Sequence, residues 1–553
     1  MGRYKISRDI FDDEPKPNFG ARTSVQSVDL MTPLPTLGSA IQLFDSGSPS
    51  EEERRPEVRD WLVFICIVIL AVMDSFDATV LIPAVPDLAN TFEKPMASTL
   101  WVNTAYLVLG SASQVFFTML CEVFSHGPIW IFAVVLTTIG TGICCGSMSL
   151  VELLVGRTIQ GIGGGGAMSL CFVAVAESAP EPIHSRYACY ILLTRMVGTI
   201  MGPMIGGLFV DYANWTWGFY FNFIFAALGL LVIPFAIDLR VSKNIPMRRL
   251  RTLDWPGASL AFLGPGAILL GLSWGGIFYR WDQWQTFTPI VIGVALILVL
   301  MVYESKWALH PQFGARVFRS RMMVMTYLGC FLHSFVMFCQ LQYFPFYFIS
   351  TKYMLTALSG VTLVAITGFA IGPAAVAGVI LATESHCAQW IITGGWILTT
   401  LAAGCCILLD ETTPTVGWIF LFFTAGLGHG LLLSGYNIRI QNTPKDAGAS
   451  PSNSPTTMAI FMRSWGMAVA IPVGGAVMLN CFGIELASIN LDRDLVNAAN
   501  GYLILMRHVQ MSGEQREALK TASAGALRVV WGLIAGTSAL GGISSAFLWR
   551  RRL

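Results

Sequence analysis

The chain has 553 residues, 54% of them hydrophobic and 12% charged, with a formal charge of +1 and a mean hydropathy of +0.63. Soluble proteins carry about 25% charged residues, so this composition excludes a soluble globular domain and indicates an all-α, polytopic membrane protein embedded in a lipid bilayer. A charge so near zero gives no basis for a nucleic-acid partner. The 12 cysteines are scattered through apolar stretches without C-x-x-C spacing and read as small buried residues, not as a metal or disulfide framework.

Residues 1–60 are polar and rich in Pro, Ser and both charges, which reads as a disordered cytoplasmic tail. No cleavable signal peptide precedes the first span, so that span is expected to direct insertion. Taking about 20 mostly apolar residues per crossing, the sequence predicts fourteen transmembrane helices. Six run near Trp61–Val85, Thr99–Leu120, Pro128–Ser149, Val151–Ala176, Tyr187–Val210 and Trp217–Ile237. Two follow a basic loop, Trp255–Trp274 and Phe287–Tyr303. The last six are Met322–Ile349, Leu358–Leu381, Ala388–Leu409, Val416–Tyr436, Met458–Leu479 and Val529–Trp549.

Lys and Arg set the orientation. Arg240, Lys243, Arg248, Arg249 and Arg251, then Lys306, Arg316, Arg319 and Arg321, mark cytoplasmic loops, so both termini are expected inside. Asn214-Trp-Thr216 is an outer-side glycosylation sequon too close to two spans to be used readily.

The stretch from Arg195 to Gly207 stands out. Gly198, Gly202 and Gly206 fall four apart and share one helix face, so a neighbouring backbone can approach closely. Pro203 removes a donor within that face and predicts a kink. Arg195 is costly in hydrocarbon and should face protein or a wet cavity.

The same pattern recurs as Arg463, Gly466, Pro472, Gly474 and Gly475, and Gly161-Ile-Gly163-Gly-Gly165 is echoed by Gly426-Leu-Gly428-His-Gly430. Two six-helix halves are therefore expected, at 61–238 and 305–549. Two inserted helices and a basic loop lie between them at 239–304, a long outer loop at 480–528 and a short tail at 550–553. A substrate site is expected between the halves near the midplane, with the fifth and thirteenth spans as hinges.

Few ionisable residues lie within the spans, and each is expensive if deep. Asp74 and Asp77 are three apart on one face of the first helix. Burial and mutual repulsion make a protonated form accessible, as a reversible proton carrier requires; alternatively they pair permanently with Arg157 or Arg195 and hold helices together. Arg157 opens Arg157-Thr-Ile-Gln160-Gly161-Ile-Gly163, as a structural ion pair or a coupling partner. Gly161 to Gly166 also fits G-x-G-x-x-G, but no strand precedes it and the glycines lie inside a span. His333 and His429 could relay protons or be hydrogen-bonded core.

These residues resemble the major facilitator superfamily, and within it the fourteen-span drug:proton antiporters of the fungal toxin and drug efflux type. Phe76-Asp77-Ala-Thr79-Val-Leu-Ile-Pro-Ala-Val-Pro86 is similar to L-D-x-T-I-V-N-V-A-L-P, with Ile82 in place of Asn. Arg157, Gln160, Gly161 and Gly163 match R-x-x-Q-G-x-G, whose arginine the family associates with proton transfer. Gly198, Gly202, Pro203, Gly206 and Gly207 match the antiporter motif G-x-x-x-G-P-x-x-G-G, associated with exporters. Trp215 to Asn222 resembles W-R-W-x-F-x-x-N, and Leu253-Asp254-Trp-Pro-Gly257 and Trp274-Gly-Gly276 resemble the fourteen-span branch. The departure is Thr118–Gly127, where only Leu120 and Glu122 remain of G-x-L-a-D-R-x-G-R-K, so the charged latch of the inward gate is weakened.

The resemblance implies a monomeric, proton-driven exporter of an amphipathic small organic molecule, in the plasma, vacuolar or a vesicular membrane, with no cofactor beyond the proton gradient. Asp77 is the first candidate for the proton site, Asp74 the second, and Arg157 the coupling partner. An importer of a small molecule such as an iron chelate, or a non-transporting receptor on the same fold, are the alternatives. No nucleophile, base and acid stand together, so an enzyme is not expected.

Overall fold

The computed structural model describes residues 58–178, 181–237, 253–308, 320–363, 368–385, 388–443, 454–488 and 512–548. The N-terminal tail, the basic residues 240–251, Arg316, Arg319 and the terminal arginines lie outside the described residues, as do the side chains of Glu122 and Glu177.

The described chain is helical: α1 Val58–Thr79, α2 Val85–Thr91, α3 Met96–Val123, α4 His126–Cys145, α5 Leu150–Ser178, α6 Glu181–Tyr212, α7 Trp217–Ala236, α8 Trp255–Trp274, α9 Trp284–Lys306, α10 Arg321–Phe346, α11 Thr356–Leu363, α12 Phe369–Ser385, α13 Ala388–Cys406, α14 Thr415–Gln441, α15 Pro455–Ser488 and α16 Gly513–Ala546. A π turn at Tyr347–Thr351 extends α10. Within each helix the backbone groups pair internally, as a hydrocarbon environment demands, except at its ends.

Twelve of these helices are long and apolar enough to cross a membrane among the described residues, against the fourteen spans expected. The two that differ are the tenth and eleventh. The tenth is described as α11 and α12, and the residues between them, 364–367, lie outside the described residues. The eleventh, α13, is a 19-residue helix whose apolar character is diluted by Gln389, Gly394, Gly395 and three threonines. The last helix also begins earlier than Val529, because a capping box of Ser512 and Gln515 starts it at Gly513; its first turns carry Glu514, Arg516, Glu517 and Lys520, which mask a helix in a hydropathy reading.

Glycines seat the helices against one another. A Cβ on Gly161 or Gly165 would overlap α3 backbone at Tyr106 and Gly110, and one on Gly163 would overlap Ala133 and Thr137 of α4. The G-x-G-x-x-G stretch is thus the packing edge of α5 on two sides. On α6, Gly198 meets Val72 and Ser75, Gly202 meets Thr79 and Gly206 meets the Val80 carbonyl, so this edge rides on α1.

The inserted pair is held by named contacts. Asp254 caps α8 by accepting from the Gly257 amide at 2.9 Å, and the Tyr303 hydroxyl of α9 donates to the same oxygen at 2.9 Å. Between the two helices Gly276 sits at φ +73°, which favours glycine, and Asn480 of α15 donates to the Gly275 carbonyl at 3.2 Å.

Candidate functional site

Helix α1 ends at Thr79 because Pro83 and Pro86 follow, and Val80–Ala84 form turns before α2. A helix end leaves carbonyls without intrahelical partners. Arg157, fully buried on α5, supplies one: its Nη2 donates to the Asp77 carbonyl at 3.0 Å. The same guanidinium donates from Nε to the Val102 carbonyl of α3 at 3.2 Å and from Nη1 to Gln160 Oε1 at 2.7 Å. Its positive charge at the C-terminal end of α1 also complements the helix dipole.

Arg157 therefore pairs with the backbone of Asp77 and makes no ion pair with its carboxylate. The Asp77 side chain, 0% exposed, accepts from Asn222 Nδ2 of α7 at 2.6 Å through Oδ2, while Oδ1 has no hydrogen-bond partner. Asn222 approaches Thr141 at 3.4 Å, and Gln160 donates to Thr141 at 2.9 Å. The result is a closed polar ring through Asp77, Asn222, Thr141, Gln160 and Arg157, drawn from α1, α4, α5 and α7.

Asp74 belongs to a second arrangement. Its Oδ2 forms an ion pair with Arg195 Nη2 at 3.2 Å, the two side chains being 10% and 15% exposed, and its Oδ1 accepts from the Tyr106 hydroxyl at 3.0 Å. Arg195 also reaches Ser75 at 3.4 Å. The arginine of the antiporter motif thus meets an acid on the neighbouring helix, which the motif itself lacks. The Tyr106 ring lies 4.2 Å beneath the Arg157 guanidinium, so one tyrosine touches both carboxylate sites.

Tyr106 and Thr141 were missed as site residues, and Asn222 was seen only as part of a motif. Buried polar residues on apolar helices are the signal that could have found them. The antiporter-motif glycines lie beside these acids: Gly198 and Gly202 bracket Ser75 and Thr79 on α1. Gly207 meets Thr356 and Ala357 of α11, and Gly360 of α11 meets the Pro203 carbonyl. Asp211 accepts from the Ala357 amide at 2.7 Å nearby.

The second glycine set has equivalent partners. Gly466 meets Phe331 and Ser334 of α10 as Gly198 meets Val72 and Ser75; Gly428 meets Gly395 and Thr399 as Gly163 meets Ala133 and Thr137. Gly475 meets Leu100 of α3, and Gly474 meets the Tyr343 ring. Pro472 lies within α15, near the start of α3 beside Leu100 and Trp101. Gln114 of α3 donates to Ser464 of α15 at 2.7 Å.

His429 Nε2 contacts Gln340 Oε1 at 2.7 Å, and its ring centroid is 5.3 Å from that of His333. An apolar cavity of about 710 Å³ lies among α8, α9, α10 and α15, walled by Ile268, Leu272, Ile297, Phe331, Phe461 and Trp465. It lies beside the inserted helices.

Membrane-length apolar helices, close glycine crossings and buried charges on facing helices define a polytopic membrane protein. The profile of the Major Facilitator Superfamily matches residues 67–474, and the chain belongs to that family. Its relatives include the MFS transporter L2 of a Phoma species, 28% identical over 91% of this chain and 84% of the relative. The MFS efflux transporter aclA of Aspergillus oryzae is 26% identical over 88% of this chain and 90% of its own. Among solved structures, a bacterial homologue of the human lysosomal transporter Spinster, in an inward-facing and unoccupied conformation, is similar with a TM-score of 0.58. It is 14% identical and covers 90% of this chain and 100% of that one, a likeness of fold.

Proposed function

We propose that this protein is a proton-coupled exporter of an amphipathic small organic molecule, working by alternating access on two six-helix halves with two inserted helices, fourteen spans in all. The observation that carries the reading is the Asp77 carboxylate: fully buried, with one oxygen unpartnered and no cation paired to it among the described residues. A fully buried carboxylate with no direct ion pair and one oxygen unpartnered is poorly held in its charged form, even with Arg157 on its own backbone carbonyl, so it can take and release a proton as its surroundings change. Asp74, locked by Arg195 and Tyr106, serves the structure of the α1–α6 contact and is the weaker candidate.

Arg157 holds the end of α1 and so couples the Asp77 backbone to α3 and α5. The glycine edges of α6 and α15 act as the hinges on which the halves rock. Export as the direction draws support from the printed name of aclA and from the antiporter-motif glycines. The test compares small molecules inside and outside cells with and without the protein, before and after a protonophore. Depletion from cells that the protonophore abolishes is the expected result; accumulation would make the protein an importer, and no flux in either direction would make it a receptor.

A further inference from the structure

The C-terminal set of helices holds a buried arginine beside two imidazoles with no acid paired to it, and we propose that this cluster receives the acidic group of the transported molecule. The proposal rests on the transport reading above and names its substrate class: amphipathic molecules bearing a carboxylate or a comparable single acidic group.

The matched glycines give the equivalences. Gly466 faces Phe331 and Ser334 as Gly198 faces Val72 and Ser75, so Arg463 stands where Arg195 stands, and His333 stands where Asp74 stands. Likewise Gly428 and Gly430 answer Gly163 and Gly165, which puts His429 at the place of Gly164, whose Cβ direction points at Asp74 and Tyr106. One arginine position therefore has two outcomes. In the first set Arg195 has its carboxylate at 3.2 Å; in the second, an imidazole replaces the carboxylate and a second imidazole fills the space left by a glycine.

Arg463 consequently lacks an ion pair among the described residues. It is 8% exposed, its Nη2 has no hydrogen-bond partner, and it lies against the Cys330 thiol and within electrostatic reach of His333. The neighbours do not compensate. Both ring nitrogens of His333, Nδ1 of His429 and Nε2 of Gln340 are buried and without partners. No Asp or Glu occurs in 321–383, 388–409, 415–441 or 455–484.

A buried guanidinium with no counter-ion is costly, and the cost is removed by an anion that fits its fork of donors. His429 Nε2 donates to Gln340 Oε1, so its Nδ1 is an acceptor; the unmet donors are Arg463 Nη2, Gln340 Nε2 and one ring N–H of His333, and they point to an oxygen-rich acceptor such as a carboxylate.

The test uses the full-length purified protein in lipid nanodiscs and equilibrium binding of tritiated decanoate, displaced by unlabelled decanoate, decanol or decylamine. Decanoate should displace at least about 10-fold more tightly than decanol, with decylamine weakest. Arg463→Gln should bring the acid and the alcohol to parity, Arg463→Lys should keep part of the preference, and His333→Gln, which retains the arginine, should reduce it partway. Equal binding of acid and alcohol by the wild type would overturn the proposal. So would an unchanged preference in Arg463→Gln. Displacement of decanoate by physiological chloride alone would make this an inorganic-anion site and overturn it too. If Arg463→Gln fails to fold, the wild-type ligand series and His333→Gln decide. Binding is read without a gradient, so its result stands apart from the direction of transport and from proton coupling.

Discussion

Replacing Arg157 should damage the protein more than replacing any other buried cation in the first set of helices. The guanidinium meets three acceptors from three directions: the Asp77 carbonyl at 3.0 Å, the Val102 carbonyl at 3.2 Å and Gln160 Oε1 at 2.7 Å. Leaving a buried acceptor unmet costs about 1–3 kcal/mol, a gross loss of roughly 3–9 kcal/mol. In Arg157→Gln the new amide can retain one contact, and water entry relaxes part of the rest, leaving an expected loss of about 3–5 kcal/mol. Arg157→Lys should recover less than half of it, since an ammonium cannot span the three directions. Arg195→Gln removes one ion pair at 3.2 Å between partly exposed side chains and a long contact to Ser75, and should cost less. The assay is the apparent melting temperature of purified variants in one detergent at one scan rate, because unfolding of such proteins is commonly irreversible. An Arg157→Gln protein that melts with the wild type, or one more stable than Arg195→Gln, would refute the view that Arg157 holds α1, α3 and α5 together.

Gly165→Ala should lower the melting temperature sharply, because its Cβ would overlap α3 backbone at Gly110; Gly372→Ala, with open space at the Cβ, should not. Overpacking of this kind costs about 1–3 kcal/mol, and paired melting curves check it. In the loop after α13, the Thr413 hydroxyl, chiefly, together with the hydroxyl and amide of Thr412, holds the Asp410 carboxyl below its ordinary value of 3.8. A depressed folded-state pKa contributes stability that is present above the unfolded value and lost as pH falls through the folded one. Asp410→Asn should therefore be less stable than wild type at neutral pH, and the difference should shrink below pH 3.8; a difference that persists in acid would contradict the assignment. Tyr106→Phe removes the donor to Asp74 Oδ1 and should cost about 1.5–3 kcal/mol, as hydrogen bonds to charged groups do, in the same melting assay.

The glycine edges were legible in the sequence, because four-residue spacing on a helix fixes a face whatever that face meets. Position alone could not show that Gly198, Gly202 and Gly206 ride on α1, while Gly207 crosses to α11. The buried acids were equally visible, since an Asp in an apolar run is conspicuous. Their partners were not. Arg157 acts on backbone carbonyls 55 and 80 residues away, and carbonyls carry no sequence signature. Asp74 meets Arg195 across 121 residues, a pairing that the alternatives Arg157 and Arg195 left open until the helix faces were known. Hydropathy gives no clear span in α12 and α13, where glycine, proline and threonine dilute the apolar run and residues 364–367 lie outside the described residues. The start of α16 was hidden for the opposite reason, because its charged first turns look like a loop.

The most direct test of the central claim is proton movement through the protein itself. With the protein in vesicles loaded with a pH dye, an outward substrate gradient should drive proton flux in the opposite direction in the wild type. Asp77→Asn, isosteric and still able to accept from Asn222, should abolish that flux while leaving the melting temperature close to wild type. Undiminished substrate-driven proton flux in Asp77→Asn would contradict the account.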